Sequence, residues 1–525
     1  MALVGAGPGD PGLITVRGAR LLALAQVVLY DDLAGVGLLD RVSPEAVRVY
    51  VGKRAGRAAK SQVEIQEEIL RWARAGRRVV RLKGGDPLVF GRGLEELRMC
   101  IAEGIPAELV PGISSVLAVP AYAGFAPTLR GVSSAFTVVT GHEDPSKGAS
   151  ELDWSALART PGTLIILMGM GRLRQIVAEL LLGGRPSDTP AAAIQWGTIG
   201  SQREVLAPLS CLPGAVEQAG ISSPAVVMVG EVAAAAHRVE WLGQAKPLWG
   251  VRVLDTRRGS LSTDFRDLAE AHGAEVVGCP VIATERIHEP GGGPWAEKQL
   301  VGSEGGWIVW SSSVGVRLWA EELKVRGWDG RRLSGRKLAC VGPSTAQALE
   351  TVTGLRADLV AFPARQEGLV HGMLDREPNP SEALMMGATN SDSSLEEELL
   401  RSGWNVLRTN LYETRSLSEG GARAASLLVS GQVYWVVVTS SSAVESLAHA
   451  LERIAQSHAG PQQRLASVES VGWISIGPKT SECIRRQGWK VAGEAVEPTA
   501  SGLYEALVRA VGQKRDGNGF FDDHE

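Results

Sequence analysis

Cysteine is scarce: Cys100, Cys211, Cys279, Cys340 and Cys483 are scattered over 525 residues, odd in number and never at CxxC spacing. That distribution argues against a disulfide framework and a thiolate zinc site, so no metal is expected and a reducing compartment suits the chain. No apolar run is long enough to span a bilayer. Met1 leads straight into Ala2-Leu3-Val4 and a glycine turn, without a basic segment or cleavage site, so a cytoplasmic location is expected. Charge of one sign is lacking as well, with 54 Lys and Arg against 58 Asp and Glu. The formal net of −4 gives no reason to expect nucleic acid, and an anionic ligand must be met by a local basic cleft. Glycine, by contrast, is abundant at 63 residues and signals tight turns and close backbone approaches. The length exceeds what one core supports, and roughly two to four domains are expected.

Two halves separate near residues 237–250. Up to Val232, β-branched runs alternate with helical stretches; residues 237–249 are polar and irregular and read as a linker; at Val251 the alternation restarts. The expected organisation is 1–236, linker 237–249, 250–511, and a disordered tail 512–525. Strands alternating with helices predict an α/β fold with parallel sheets in both halves. The second half repeats itself. Trp307-Ile308-Val309-Trp310-Ser311-Ser312-Ser313 is echoed by Trp435-Val436-Val437-Val438-Thr439-Ser440-Ser441, and Val341-Gly342-Pro343-Ser344-Thr345 by Ile476-Gly477-Pro478-Lys479-Thr480. Two similar α/β lobes with a ligand cleft between them follow from that order.

Gly5-Ala6-Gly7-Pro8-Gly9-Asp10 follows a short strand, and Asp31 ends a second strand, an arrangement that imitates a dinucleotide site. The third glycine of G-x-G-x-x-G is Asp10, however, and Pro8 removes an N–H where a pyrophosphate needs donors. A nicotinamide-dependent oxidoreductase therefore fails at this turn. A second turn, Lys83-Gly84-Gly85-Asp86-Pro87, allows close backbone approach and offers an acceptor to ammonium or ribose hydroxyls. These demands fit a cationic ligand without phosphate; a tight turn with an Asp cap is the plain structural alternative.

The ordered set Val4-Gly5-Ala6-Gly7-Pro8-Gly9-Asp10-Pro11, Tyr30-Asp31, Val51-Gly52-Lys53-Arg54-Ala55-Gly56, Arg81-Leu82-Lys83-Gly84-Gly85-Asp86-Pro87, Phe90-Gly91-Arg92-Gly93, Pro111-Gly112-Ile113-Ser114-Ser115, Met168-Gly169 and Gln195-Trp196-Gly197-Thr198 resembles the uroporphyrinogen III C-methyltransferases, members of the tetrapyrrole methylases. The resemblance spans residues 1–235 and implies two α/β lobes holding S-adenosylmethionine in the groove between them. By motif, Pro8, Gly84, Gly85, Asp86, Val89, Ser114, Ser115, Met168 and Gly197 would contact the donor, Asp31 would match the proton acceptor and Lys53 the proton donor. Asp31 reads equally as a strand-end cap, and Lys53 equally as a clamp for a propionate. Thr128 and Arg130 would meet the tetrapyrrole, although the histidine that usually precedes the arginine is Leu129 here. Ser114-Ser115 stands where the family usually has Thr-Ala. Methylases of this family are commonly dimers, which implies a homodimer through this half.

Thr256-Arg257, the two serine-rich strand ends, the two Gly-Pro turns, Leu411-Tyr412-Glu413-Thr414 and Glu497-Pro498-Thr499-Ala500-Ser501-Gly502-Leu503 resemble uroporphyrinogen III synthase over about 250–510. The resemblance implies two α/β lobes joined by crossing strands, with Val276–Thr284 crossing over and Asn405–Thr414 returning. It implies closure of hydroxymethylbilane to uroporphyrinogen III with loss of water and inversion of the last pyrrole. Backbone N–H groups and hydroxyls at helix starts (Ser312, Ser313, Thr345, Ser440, Ser441, Thr480) can bind substrate carboxylates, and the same atoms serve simple capping. Tyr412 would donate a proton to the departing hydroxyl or pack between lobes. The fold class expected is thus a two-lobed tetrapyrrole methylase followed by a bilobal α/β synthase. Two lobes with a hinge also describe solute receptors, but a receptor needs no methylase half. No dehydrogenase–ferrochelatase module is found, so the expected product is precorrin-2, which serves sirohaem, cobalamin and haem d1 formation alike.

Overall fold

The computed structural model describes residues 1–39, 41–43, 45–52, 61–142, 152–257, 259–287, 305–362, 366–389, 393–457, 468 and 470–516. The first sheet contains Ala2–Gly5 (β1), Val27–Tyr30 (β2), Val47–Tyr50 (β3), Val79–Lys83 (β4) and Glu108–Val110 (β5), in the order β3-β2-β4-β1-β5. Every pairing in it is parallel. The central strands β1 and β4 are buried throughout, as apolar runs covered on both faces should be. Gly5 pairs with Lys83, so the glycine turns that follow β1 and β4 emerge side by side at the carboxyl edge of the sheet.

The second sheet departs from the expected parallel pattern. It orders Phe136–Thr140 (β6), Thr163–Leu167 (β7), Pro190–Gln195 (β8), Arg203–Pro208 (β9) and Ala225–Val229 (β10) as β6-β7-β10-β8-β9. Only β6 and β7 are parallel; the other three pairings are antiparallel. The turn between β8 and β9 is too short for a crossover helix, so the two form a hairpin.

The second half forms two further sheets, described here as an outer and an inner lobe. The outer orders Arg252–Asp255 (β11), Glu275–Gly278 (β12), Trp435–Val438 (β19), Gly472–Ser475 (β20) and Val491–Glu494 (β21) as β12-β11-β19-β20-β21, all parallel. The inner orders Ile282–Arg286 (β13), Trp307–Trp310 (β14), Lys337–Cys340 (β15), Leu359–Val360 (β16), Glu382–Ala388 (β17) and Asn405–Ser416 (β18) as β13-β18-β17-β14-β15-β16. β12 leaves one lobe, β13 enters the other, and β18 returns antiparallel to β13. The repeated strands β14 and β19 occupy interior positions in their sheets and lead into the helices Ser313–Val325 and Ser441–Ser457.

Residues 237–249, expected as a linker, are packed rather than free. They include the short helix Leu242–Ala245, and both Leu242 and Leu248 are buried. The segment's polar composition masks four large apolar residues, Trp241, Leu242, Leu248 and Trp249. Burying each leucine contributes roughly 1.5–3 kcal/mol, which a free tether would forgo. The expected tail at 512–525 also needs correction, because the helix Ala500–Asp516 runs through its first residues. Arg515 donates to the carbonyls of Pro247 and Trp249, fastening this helix to the connector; residues 517–525 lie outside the described residues.

The halves also meet directly. Arg41 of the first half pairs with Glu270 (3.0 Å) and Asp267 (3.2 Å) on the helix Ser260–Ala271. Burial pushes the Glu270 carboxyl up to about 7; Arg41 and Arg266 pull against that shift and Asp267 adds to it. A carboxyl raised in the folded state stabilises fully below its ordinary value and loses that contribution as pH rises through about 7. Glu270→Gln is therefore expected to remove a fall in stability, on the order of 1–3 kcal/mol, between about pH 4.5 and 7. Thermal unfolding of both proteins across that range checks it; parallel Tm profiles would show that Glu270 does not titrate at this contact.

Candidate active sites

The two glycine turns of the first half are hydrogen-bonded to each other. Gly85 N–H donates to the Gly7 carbonyl at 2.7 Å, Gly7 N–H to the Gly85 carbonyl at 3.2 Å, and Ala6 N–H to the Lys83 carbonyl at 2.7 Å. A Cβ on Gly84 would lie 2.5 Å from Leu33 Cβ, so that position is closed to any side chain. Gly85 is different: its φ is +66°, and a Cβ there would meet only the Ser115 nitrogen, at 3.8 Å. Its constraint is conformational, and it opens toward the start of the helix Ser115–Tyr122. Asp86 accepts from Leu88 N–H (2.7 Å) and Gly112 N–H (3.0 Å), so its carboxylate caps one turn and anchors the next. Each oxygen keeps lone-pair capacity for a ligand. Val89 is exposed beyond this turn, and Pro8 is half-buried.

The opposite wall comes from three segments. Ser114 caps the helix Ser115–Tyr122 by accepting from Val116 N–H at 3.3 Å. Met168, half exposed, and Trp196 have φ of +55° and +49°. A Cβ on Gly197 would lie 2.5 Å from a Val119 methyl, so this turn seats directly on that helix. Among the described residues every non-glycine residue with positive φ lies in the first half: Phe90, Arg92, Met168, Trp196 and Thr198. Such conformations cost of order 1–3 kcal/mol each and persist where surrounding structure over-determines them. They cluster at the turns singled out for the donor, although neither Trp nor Met announces a left-handed turn in sequence.

Asp31 caps the short helical turn Asp32–Ala34 by accepting from Leu33 N–H at 3.1 Å, and it accepts from Arg81 Nη2 at 3.0 Å. Arg81 is buried and lies 3.7 Å from Glu96, which is fully buried and also accepts from Lys83 Nζ (3.1 Å) and Gln62 (3.0 Å). Burial, then the neighbouring Arg81, holds the Lys83 ammonium below its usual range. Two cations and two carboxylates thus share a buried patch, where removing one partner costs far more than the intact pair contributes. Glu96 was not singled out in the sequence. Its neighbour Glu95 pairs with exposed Arg92, and the pattern Glu95-Glu96 does not say which acid turns inward. Lys53 lies outside the described residues. Thr128 and Arg130 are exposed, and Leu129, in the histidine's place, packs on the core cluster containing Val116 and Val119. Arg130 pairs with no carboxylate among the described residues.

In the second half the structure brings Ser312 and Tyr412 together, with their hydroxyls 2.8 Å apart. Ser312 also caps the helix Ser313–Val325 by accepting from Gly315 N–H at 3.1 Å. Tyr412 is buried on β18, and that burial pushes its phenol up, so it remains a donor at neutral pH. Ser440 accepts from Ala443 N–H at 3.2 Å, and Thr480 is buried in the first turn of the helix Pro478–Arg486. Those two follow the paired strands β19 and β20, whereas Ser312 and Thr345 follow β14 and β15 of the other lobe. Asp255, given no role in the sequence, grips Arg257 through both oxygens (2.6 and 3.0 Å) and accepts from Ser262.

Paired glycine turns in the first two α/β lobes, followed by two further α/β lobes, define a two-part α/β protein. The family model for Tetrapyrrole (Corrin/Porphyrin) Methylases matches residues 1–213, and that for Uroporphyrinogen-III synthase HemD matches 263–505. "Porphyrin biosynthesis protein HemD" of Ruminiclostridium josui is 32% identical over 490 residues, 93% of each chain. The "S-adenosyl-L-methionine-dependent uroporphyrinogen III methyltransferase" of Methanosarcina barkeri is 45% identical over 244 residues, 46% of this chain and 94% of its own. Among solved structures, uroporphyrin-III C-methyl transferase from Thermus thermophilus complexed with S-adenyl homocysteine is 41% identical, covers 44% of this chain and 92% of its own, and has a TM-score of 0.38. The chain belongs to the tetrapyrrole methylases in its first part and to the uroporphyrinogen III synthases in its second.

Gly85→Val forces a β-branched residue to φ +66°, at a cost above the roughly 1–2 kcal/mol of an ordinary left-handed residue. S-adenosylmethionine affinity, measured by calorimetry, is expected to fall at least about tenfold, with synthase turnover retained. For Tyr412→Phe, stability is expected to change by about 0.5–1.5 kcal/mol, the worth of one hydrogen bond, while hydroxymethylbilane turnover falls at least about tenfold. A Phe variant that turns over like the parent assigns Tyr412 to packing alone.

Proposed function

We propose that residues 250–511 close hydroxymethylbilane to uroporphyrinogen III, with loss of water and inversion of the D ring, and that residues 1–236 methylate this product twice to give precorrin-2. The observation that carries the methyl-transfer half is the seam between the glycine turns. The N–H groups of Ala6, Gly7, Asp10 and Gly12 are committed to protein acceptors, and Pro8 and Pro11 have none. A pyrophosphate finds few donors there, whereas a cation meets the carboxylate side of Asp86 and an open approach at Gly85. When bound, S-adenosylmethionine supplies an electrophilic methyl group; Pro8, Gly84, Gly85, Asp86, Val89, Ser114, Ser115, Met168 and Gly197 would hold it.

The chain's own work is positioning and proton handling. Asp31, oriented by Arg81, takes the proton that a methylated pyrrole must lose. Lys53 serves as the proton donor or grips a propionate. Arg130, exposed and without a carboxylate partner among the described residues, is free to grip a propionate with its guanidinium fork, with Thr128 beside it. In the second half Tyr412 donates to the departing hydroxyl, while Ser312, Ser440 and Thr480 meet substrate carboxylates at helix starts. The protein then has to favour the inverted closure over the symmetric one, which is a matter of orientation. A cytoplasmic homodimer joined through the methylase half, acting without a metal, completes the reading. Among the described residues no helix is long and apolar enough to cross a membrane.

The test is incubation with hydroxymethylbilane and S-adenosylmethionine, followed by identification of the tetrapyrrole by mass and isomer. Dimethylated type III product is expected; the symmetric isomer, or an unmethylated product, would refute the corresponding half. In the same assay Arg130→Ala is expected to raise the KM for uroporphyrinogen III by roughly tenfold to a hundredfold, the effect of one lost charge-assisted contact. Arg130→Lys should fall between, with donor affinity unchanged in both. Parental kinetics in both variants would remove Arg130 from the site.

A further inference from the structure

Asp10 is where the connector reaches into the donor groove. Its Oδ1 accepts from Gly12 N–H (2.8 Å), and its Oδ2 from Tyr122 Oη (2.6 Å) and Lys246 Nζ (3.1 Å). Its own N–H donates to Thr198 Oγ1 at 3.0 Å, beside Gly197. Asp10 therefore ties the first glycine turn to the end of the helix Ser115–Tyr122 through its carboxylate and to the 196–199 turn through its backbone N–H. Lys246 supplies the only cation to this carboxylate among the described residues, and the two side chains are 14% and 11% exposed.

Lys246 lies on the stretch of the connector that is seated against the other half. Leu248, two residues on, is fully buried in the outer-lobe core, and its N–H donates to the His272 carbonyl at 2.9 Å. A Cβ on Gly273 would lie 2.8 Å from Lys246 Cβ, so the stem of the lysine is wedged against the start of β12. On the methylase side, Trp241 Nε1 donates to the Ala121 carbonyl at 2.8 Å, and the Trp241 and Trp249 rings sit 5.5 and 5.7 Å from Tyr122. The ammonium thus crosses from one half into the other at a turn whose shape the donor must read. Breaking a buried pair leaves an uncompensated charge, which is relieved by protonation of the carboxylate or by outward movement of the turn, and either changes the turn that Asp10 holds.

We propose that Lys246 is a positioning residue for methyl transfer: by pairing with Asp10 it makes the seating of the synthase half part of the methyl-donor site. The inference rests on the donor-groove reading above. By linkage, donor binding in turn steadies the docking of the two halves.

The test uses the full chain and S-adenosylhomocysteine as the probe, with calorimetry on the parent, Lys246→Met and Lys246→Arg. Lys246→Met keeps the apolar stem and is expected to weaken binding by about fivefold to twentyfold, an ordinary coupling strength, while Lys246→Arg stays within about twofold of the parent. The donor KM should rise in Lys246→Met with the KM for uroporphyrinogen III unmoved and hydroxymethylbilane turnover retained. Parental affinity in Lys246→Met overturns the coupling and leaves the donor reading standing. Failure of the parent to bind the probe overturns both. A synthase rate that drops in step with donor affinity, or an arginine variant as weak as the methionine one, shows general loss of packing and overturns the proposal.

Discussion

Three backbones converge without side chains between them at the heart of the first half. A Cβ on Gly5 would lie 2.5 Å from Gly112 Cα, and one on Gly112 would lie 2.2 Å from the Gly85 carbonyl oxygen. This approach lets the turns after β1 and β4 exchange hydrogen bonds, and it brings the Pro111-Gly112 loop under the Asp86 carboxylate. Much of the arrangement of the surrounding turns follows from it. The helix that carries Ser114 and Ser115 starts where that loop ends, and the same helix supports Gly197 through Val119. The fold uses glycine here for backbone-to-backbone contact. A dinucleotide site uses it to aim free N–H groups at phosphate.

That difference explains what could and could not be read along the chain. The glycine motifs, Asp10 in place of a third glycine, and Pro8 were enough to reject a pyrophosphate. The seam itself joins residues almost eighty positions apart and has no local signature. The internal repeat predicted two lobes because β14 and β19 each carry an unmistakable strand followed by hydroxyl residues. Parallel pairing failed over 190–229, where a hairpin and its neighbour read as ordinary alternating strands. The connector was misjudged because composition averages over Trp241, Leu242, Leu248 and Trp249, whose partners lie elsewhere in the chain. The buried acid Glu96 and the left-handed Trp196 were invisible for the same reason: tertiary contacts, not local preference, decide them.

In the second half the capping and ligand-binding readings of the hydroxyl residues describe the same atoms, and they do not compete. A hydroxyl has one donor and two acceptor positions. Ser312 spends one acceptor on Gly315 N–H, and it still exchanges a bond with Tyr412. A cap at a strand end thus fixes the hydroxyl's direction, and its one proton goes either to Tyr412 or to an incoming carboxylate. Tyr412 gains its own direction from β18, where the register with β17 shifts between Gly387 and Ala388, the partner of Tyr412. The irregularity re-aims the strand at the residue whose hydroxyl faces Ser312.

The contacts that join the halves have a pattern of their own. Arg41 meets Asp267 and Glu270, Gly200 packs on Gly250, and Lys246 and Leu248 bracket the entry to β11. All of these fall on the outer lobe, whose sheet is entirely parallel and covered by the helix Ala500–Asp516. Ser312 and Tyr412 belong to the inner lobe, which hangs on the outer through β13 and β18. A bilobal cleft closes by moving one lobe about its joining strands. With the methylase fastened to the outer lobe, the strands β13 and β18 that carry the inner lobe lie apart from the Lys246–Asp10 pair in the chain. The fusion thereby joins its close-packed glycine turns to the outer lobe, while the Ser312–Tyr412 pair is carried on the inner one.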